Sequence, residues 1–320
     1  MRLKLPEVGE QRKYEHRRPQ RPTHLARRLT PPPERAEPPD LTLFIYAGIV
    51  LAVIIAYPVV RALWLSLHSD ARFGTSEFVG FDNYIRAFTG TGAEAFWSAF
   101  IFTTELTIVT VILELVIGFA MALIMNKAFR GRGLVRASVL VPWAIPTAVA
   151  AKLWEWNFTP EGVVNQVFNT NILWTAGHWS SFWAIVIADT WKTAPFIALL
   201  VLAGLQIIPG EVYEAAKVDG ATALQSFRRI TLPLAKSAVI VALLFRMLDV
   251  LRIFDLPFIL TNGANDTETL STIAYKEAIQ QVHPSYGSTL STITFVYIII
   301  AAFLVNSLAR ADVVKTASRG

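Results

Sequence analysis

Six stretches, near residues 43–67, 99–125, 134–156, 182–208, 234–260 and 290–308, stay apolar for about 20 residues or more, the length a helix needs to cross about 30 Å of hydrocarbon. Inside lipid every backbone N–H and C=O must find a partner within its own segment, so such runs fold as helices. Hydrophobic residues make up 53% of the chain and charged residues 17%, with a mean hydropathy of +0.45. A soluble fold of 320 residues would carry more charge, so the surplus apolar surface is expected to face lipid. The fold class predicted is all-α: a polytopic helical membrane protein with about six transmembrane helices. Pro142 and Pro146 interrupt the third run, and Lys152 and Glu155 sit near its end, which predicts a kink inside a bundle. The first run is too long and begins too late for a cleaved signal, and is expected to stay as a helix.

Lys and Arg orient the spans, because cytoplasmic segments carry the excess. They crowd into residues 1–40 and recur as Lys127, Arg130, Arg132 and Arg136, then as Lys217, Arg228, Arg229 and Lys236, and finally as Arg310, Lys315 and Arg319. The alternate connections hold few: Arg72 and Arg86 in the first, none in 157–181, Lys276 alone in 261–289. Both termini are therefore expected in the cytoplasm of a multi-pass plasma-membrane protein. Topology accounts for the net charge of +5 without nucleic acid. Residues 1–40, rich in Pro and Arg, are expected to be a largely disordered cytoplasmic tail that touches anionic lipid. Residues 41–310 would form the transmembrane domain, and 311–320 a short cytoplasmic tail.

Several chemistries find no footing. No cysteine is present, which excludes disulfides, thiol catalysis and thiolate metal sites. No GxxxxGK[ST] phosphate loop and no HExxH occur, and the five histidines are scattered. The expectation is a chain with no catalytic residues, metal or cofactor, so that any work it does draws its energy from a partner or from an ion gradient.

Charges at bilayer depth cost about 2.5–3.5 kcal/mol each even on the lenient insertion scale, so each needs a partner or an aqueous cavity. The fifth run holds Arg246, Asp249, Arg252 and Asp255. Helical spacing puts Arg246, Asp249, Val250 and Ile253 on one stripe, and Asp189, Thr193 and Phe196 on another in the fourth run, with Lys192 beside it. Two readings stand side by side. The charges form interhelical ion pairs, such as Asp189 with Arg246, or they line a polar cavity; a pair that lines a cavity satisfies both. Glu105 and Glu114, on the second run, are read as packing or lining groups with no assigned role.

Between the fourth and fifth runs lies a polar segment, 209–233, containing Glu214, Ala215, Ala216, Asp219, Gly220 and Ala221, then Ile230, Leu232 and Pro233. It resembles the EAA loop (EAAxxDGA, then IxLP) of the membrane subunits of binding-protein-dependent ABC importers. Phe78-Val79-Gly80 with Asn83-Tyr84, and Thr261-Asn262-Gly263, resemble segments of carbohydrate permeases of the maltose and trehalose type. The resemblance covers about 41–310 and implies a type I ABC importer permease fold in a bacterial membrane. It implies partners as well: a second homologous permease, a dimer of ATP-binding subunits, and an extracytoplasmic sugar-binding protein of the lipoprotein kind. The substrate it implies is trehalose or a related disaccharide, held by Asp189, Thr193, Phe196, Arg246, Asp249, Val250 and Ile253. Glu214, Ala215, Ala216, Asp219, Gly220 and Ala221 would couple to the ATPase, which hydrolyses ATP in place of this chain. The alternative is an ion-gradient-driven secondary transporter with Asp189, Asp249 or Asp255 carrying protons; the EAA pattern and the lack of visible inverted repeats weigh against it.

Overall fold

Helices are the form in which an apolar run satisfies its own amides, and they dominate this chain. A computed structural model describes residues 41–70 and 76–317. Residues 1–40, on which the disordered tail was expected, lie outside the described residues, as do 71–75 and 318–320. The chain divides into two units, the first ending at Ile55. Helix α1 (Leu41–Leu51) belongs to the first, and its described side chains, Ile45, Tyr46, Ile49 and Val50 among them, are exposed.

In the second unit, α2 (Tyr57–Ser66) and the short α3 (Asp82–Phe88) precede the long α4 (Ala93–Asn126). Next come α5 (Arg132–Ala144), α6 (Thr147–Asn157), the short α7 (Val163–Phe168) and α8 (His178–Gln206). The polar segment forms α9 (Gly210–Val218) and α10 (Ala223–Ser226) before α11 (Leu232–Val250). Short helices α12 (Asp255–Leu260) and α13 (Leu270–Tyr275) lead to α14 (Pro284–Ala317). Helix α14 thus continues past residue 310, where the sequence suggested a tail. Among the described residues, five stretches are long and apolar enough to cross a membrane, and α5 with α6 makes a sixth if that bent pair is one span.

Two spans are broken, and local chemistry explains the first break. Proline disfavours helical backbone in the residue before it. Ile145, which precedes Pro146, is extended (φ −71°, ψ 132°), and α5 and α6 meet at a 91° bend. The fifth run ends as a helix at Val250, well short of residue 260, and Leu251–Phe254 turn before α12 begins. Arg252 is exposed in that turn.

Helix α4 packs along α8 through Phe102, Leu106 and Val111 against Phe182, Ile185 and Val186. Farther along, Ala122 and Met125 meet Ile197, Val201 and Leu205, with Ala235 and Ala242 of α11 in the same cluster. In lipid, such contacts depend on close approach by small residues. Gly118 supplies one: a Cβ there would lie 2.6 Å from Ile197 Cγ2 and 2.9 Å from the Ala194 carbonyl oxygen.

Gly118→Ala should therefore push α4 from α8 and destabilise the protein by about 1–3 kcal/mol, the usual range for overpacking. Gly133→Ala on α5, where nothing lies within 4 Å, should leave the thermal midpoint unchanged or slightly raised. Thermal denaturation of both variants in detergent checks the pair of expectations.

Candidate functional site

Thr103, Thr107, Thr110 and Glu114 recur every three or four residues along the buried face of α4. Glu114 is fully buried, and its carboxylate meets α8 and α11 at one point. Arg246 of α11 donates from Nε to Glu114, from Nη2 to Asp189 of α8, and from Nη1 to Asp249 at 2.5 Å. Its guanidinium is 3% exposed and spends each edge on a different carboxylate. The planar fork suits this arrangement, since Arg presents its donors in fixed directions. Thr193 adds a hydroxyl within bonding distance of Glu114, and 2.5 Å from the Asp189 carbonyl oxygen one turn earlier.

One side of this node opens into a cavity of about 250 Å³. Asp189, Thr193, Arg246, Asp249 and Ile253 all line it, together with Trp143, Thr147, Lys192, Arg252, Phe254 and Asp255. Asp249, with its side chain 57% exposed, is the most open of the Arg246 partners. Lys192 is buried, and its Nζ lies 3.5 Å from the Trp143 carbonyl oxygen. Phe196 reaches the site indirectly: its ring stacks on Trp143 with centroids 5.5 Å apart and planes 14° from parallel. Val250 is wholly buried in the apolar core with Phe102, Leu106 and Leu256, and does not itself line the cavity. The stripe read from the sequence assumed a continuous helix, whereas α11 stops at Val250 and a turn carries Ile253 to the cavity. The broken third span matters equally, because its bend brings Trp143 and Thr147 to the rim.

The residues expected to couple to an ATPase form a separate surface. Glu214, Ala215, Asp219 and Gly220 are exposed, Ala221 is half-buried and Ala216 is buried. Just past the end of α9, Gly220 turns the chain at φ +74°; its amide bonds the Lys217 carbonyl, and the Ala221 amide bonds that of Ala216. Thr222 then caps α10, accepting from the Gln225 amide while its own amide bonds Gln225 Oε1. Tyr213 and Thr231, 3.1 Å apart between hydroxyls, tie the start of the segment to its end. Exposed Val218 and Leu224 give it an apolar patch.

The other motif residues serve the scaffold. Asn83 donates to the carbonyls of Ser66 and His68, and the Tyr84 hydroxyl lies 2.8 Å from that of Ser66. The Gly263 amide bonds Thr261 Oγ1, and Lys276 Nζ holds the Asn262 carbonyl at 2.8 Å. Phe158 and Trp174 pack together, with Asn165 bonding the backbone around them, while Trp179 is exposed. Glu114 is the residue that sequence reasoning left without a role. The threonine stripe leading to it was the available signal, because a polar line on a spanning helix marks the face turned toward protein.

A family profile described as the binding-protein-dependent transport system inner membrane component matches residues 114–311. The trehalose/maltose transport system permease protein MalF of Thermococcus litoralis is 41% identical over 78% of this chain and 86% of its own length. The trehalose transport system permease protein SugA of Mycobacterium tuberculosis is 37% identical over 81% of this chain and 84% of its own. A crystal structure of a bacterial ABC transporter involved in import of the acidic polysaccharide alginate contains a chain of similar fold, with a TM-score of 0.75, 22% identity, and 85% and 94% of the two chains covered.

Arg246→Leu should leave Glu114 and Asp189 buried without their cation, at a cost of about 3–5 kcal/mol. The expected result is a sharp fall in monodisperse protein on size exclusion. Replacing Glu114, Asp189 and Arg246 together with leucine should recover much of that yield, since exchanging a whole buried ion cluster for apolar groups is often neutral.

Proposed function

This chain belongs to the family of binding-protein-dependent transport system inner membrane components, and we propose that it forms half of the pathway by which an ATP-driven importer takes up trehalose or a related disaccharide. It is a multi-pass membrane permease of the ABC importer class and not itself an enzyme. The observation that carries the sugar reading is the cavity beside Arg246. It combines carboxylates and cations that bond hydroxyls with an aromatic face at Trp143, which suits the apolar side of a pyranose ring. Two curated relatives named for trehalose or trehalose/maltose transport support the same substrate class.

In this reading Asp249 accepts hydroxyl hydrogen bonds from sugar, and Lys192 and Thr193 complete the polar lining. Arg246, bonded to three carboxylates, holds Asp189 and Asp249 in place. Ile253 and the Phe196-backed Trp143 shape the apolar wall, and Val250 supports it from behind. A second homologous permease closes the open side. The 209–233 segment sits in a cleft of the ATP-binding dimer, with Glu214 and Asp219 meeting basic residues there. A binding protein delivers sugar from outside, and both termini of this chain lie in the cytoplasm. Directionality comes from different sugar affinities in the inward- and outward-open states.

Asp249→Asn keeps the shape but removes a charged acceptor, which typically costs about 1.5–3 kcal/mol, so uptake of labelled trehalose should fall roughly 10- to 150-fold. Assembly and the binding protein's own affinity should not change. Normal uptake by a well-assembled variant would take Asp249 out of the site, and uptake that persists without ATP-binding subunits would overturn the importer itself.

Gly220→Val places a β-branched residue at φ +74°, a backbone that only glycine adopts easily. We expect the variant to insert normally yet to copurify with at most a small fraction of the ATP-binding subunits bound by the wild type. Full retention of those subunits together with normal uptake would show that this loop is not the coupling element.

A further inference from the structure

The 209–233 segment continues directly into α8 at one end and α11 at the other, but α4 is no chain neighbour of it. Its side-chain hydrogen bonds close within itself, Tyr213 with Thr231 and Thr222 with Gln225. Glu214, Val218, Asp219 and Leu224 are exposed, whereas Phe227 is half-buried. The Phe227 ring meets Phe119 of α4 edge to face, with centroids 5.7 Å apart and planes at 88°. That is a favoured arrangement for two aromatic rings.

Both residues occupy particular places. Phe227 opens a π turn (Phe227–Thr231), in which the Leu232 amide reaches back five residues to the Phe227 carbonyl. Pro233 comes next and has no N–H to close a regular turn onto Arg229. Single π turns inside helices recur at functional sites. Phe119 follows Gly118, where α4 comes close to Ile197 and Ala194 of α8. It also lies five residues from Glu114, about 7.5 Å along the helix. Helix α4 therefore meets the ion cluster at one level and the cytoplasmic segment at the next.

We infer that Phe119 and Phe227 are positioning residues that make α4 follow the 209–233 segment during transport. The inference rests on the reading that this segment couples to the ATP-binding subunits. It adds a third helix that the segment drives, and the side chains that drive it. Without the ring contact, α8 and α11 would still move with the segment, and Arg246 alone would have to draw Glu114 after them. With it, α4 is held at two levels and moves as a body instead of tilting about the ion cluster. Packed side chains carry coupling between distant sites in this way.

The test uses the whole importer in proteoliposomes and reads labelled trehalose taken up per ATP hydrolysed, beside retention of the ATP-binding subunits. Phe119→Leu removes one ring and leaves the exposed face of the segment untouched. We expect full retention of the subunits and a trehalose-per-ATP ratio lower by about 2- to 30-fold, the range for changes along a coupling path. Phe227→Leu should act alike, and carries the measurement should Phe119→Leu assemble poorly. The double variant should be no worse than either single one, because both rings act through one contact. Phe119→Tyr keeps the ring and should keep the ratio. An unchanged ratio in the leucine variants, even with slower uptake, would overturn the inference, as would losses that multiply in the double variant. Gly220→Val separates the two failures. If it retains the subunits and normal uptake, the coupling reading itself falls; if it uncouples while the leucine variants keep the ratio, only the link to α4 falls.

Discussion

A single guanidinium holds three helices of this protein at one point. Arg246 meets Glu114, Asp189 and Asp249 at its three edges, and two of those carboxylates come from other helices. Between spanning helices, apolar burial gives little drive for association, because lipid chains are as apolar as the side chains they would replace. Polar contacts and close small-residue packing must supply what water supplies in a soluble core. The Gly118 contact brings α4 and α8 together, and the Arg246 node fixes how deep each helix sits. With the node broken, charges would be left in a setting that can neither hydrate nor pair them.

The same node explains why the cavity lies where it does. Arg246 gives three of its five N–H donors to carboxylates, and its field organises them around the opening. Asp249 is the partner that still reaches open space. The bend at Ile145 and the turn after Val250 then bring Trp143, Ile253 and Phe254 around that opening. Two interruptions of regular helix build the rim of a site whose floor is an ion cluster.

Much of this was legible in the sequence. Run length and composition predicted the spanning helices, the prolines predicted the broken third span, and the EAA pattern predicted an exposed, glycine-turned segment between the fourth and fifth. The depth of Asp189 and Arg246 offers their ion pair as one of two readings, and the structure contains that pair. Three features were not legible, for different reasons. Val250 shares the stripe by spacing, yet it sits about 100° around α11 from Asp249 and turns into the apolar core, because spacing does not say which edge of a stripe faces open space. Glu114 went unassigned because one carboxylate in an apolar run says that a partner exists, not which one. Trp143 joins the site only through a 91° bend, and a kink angle is set by tertiary packing as well as by proline.

The proposed coupling segment is strung between the very two helices that carry the node. From Gln206 back to Asp189 is about 25 Å of α8, and from Leu232 on to Arg246 is about 21 Å of α11. The two arms are nearly equal and are bolted together at their far ends by the guanidinium. A force applied at the loop would therefore not shear one arm past the other. It would swing them as a stiff fork, so the wall of the cavity would travel as one piece, and the stroke would be spent moving that wall against whatever faces it.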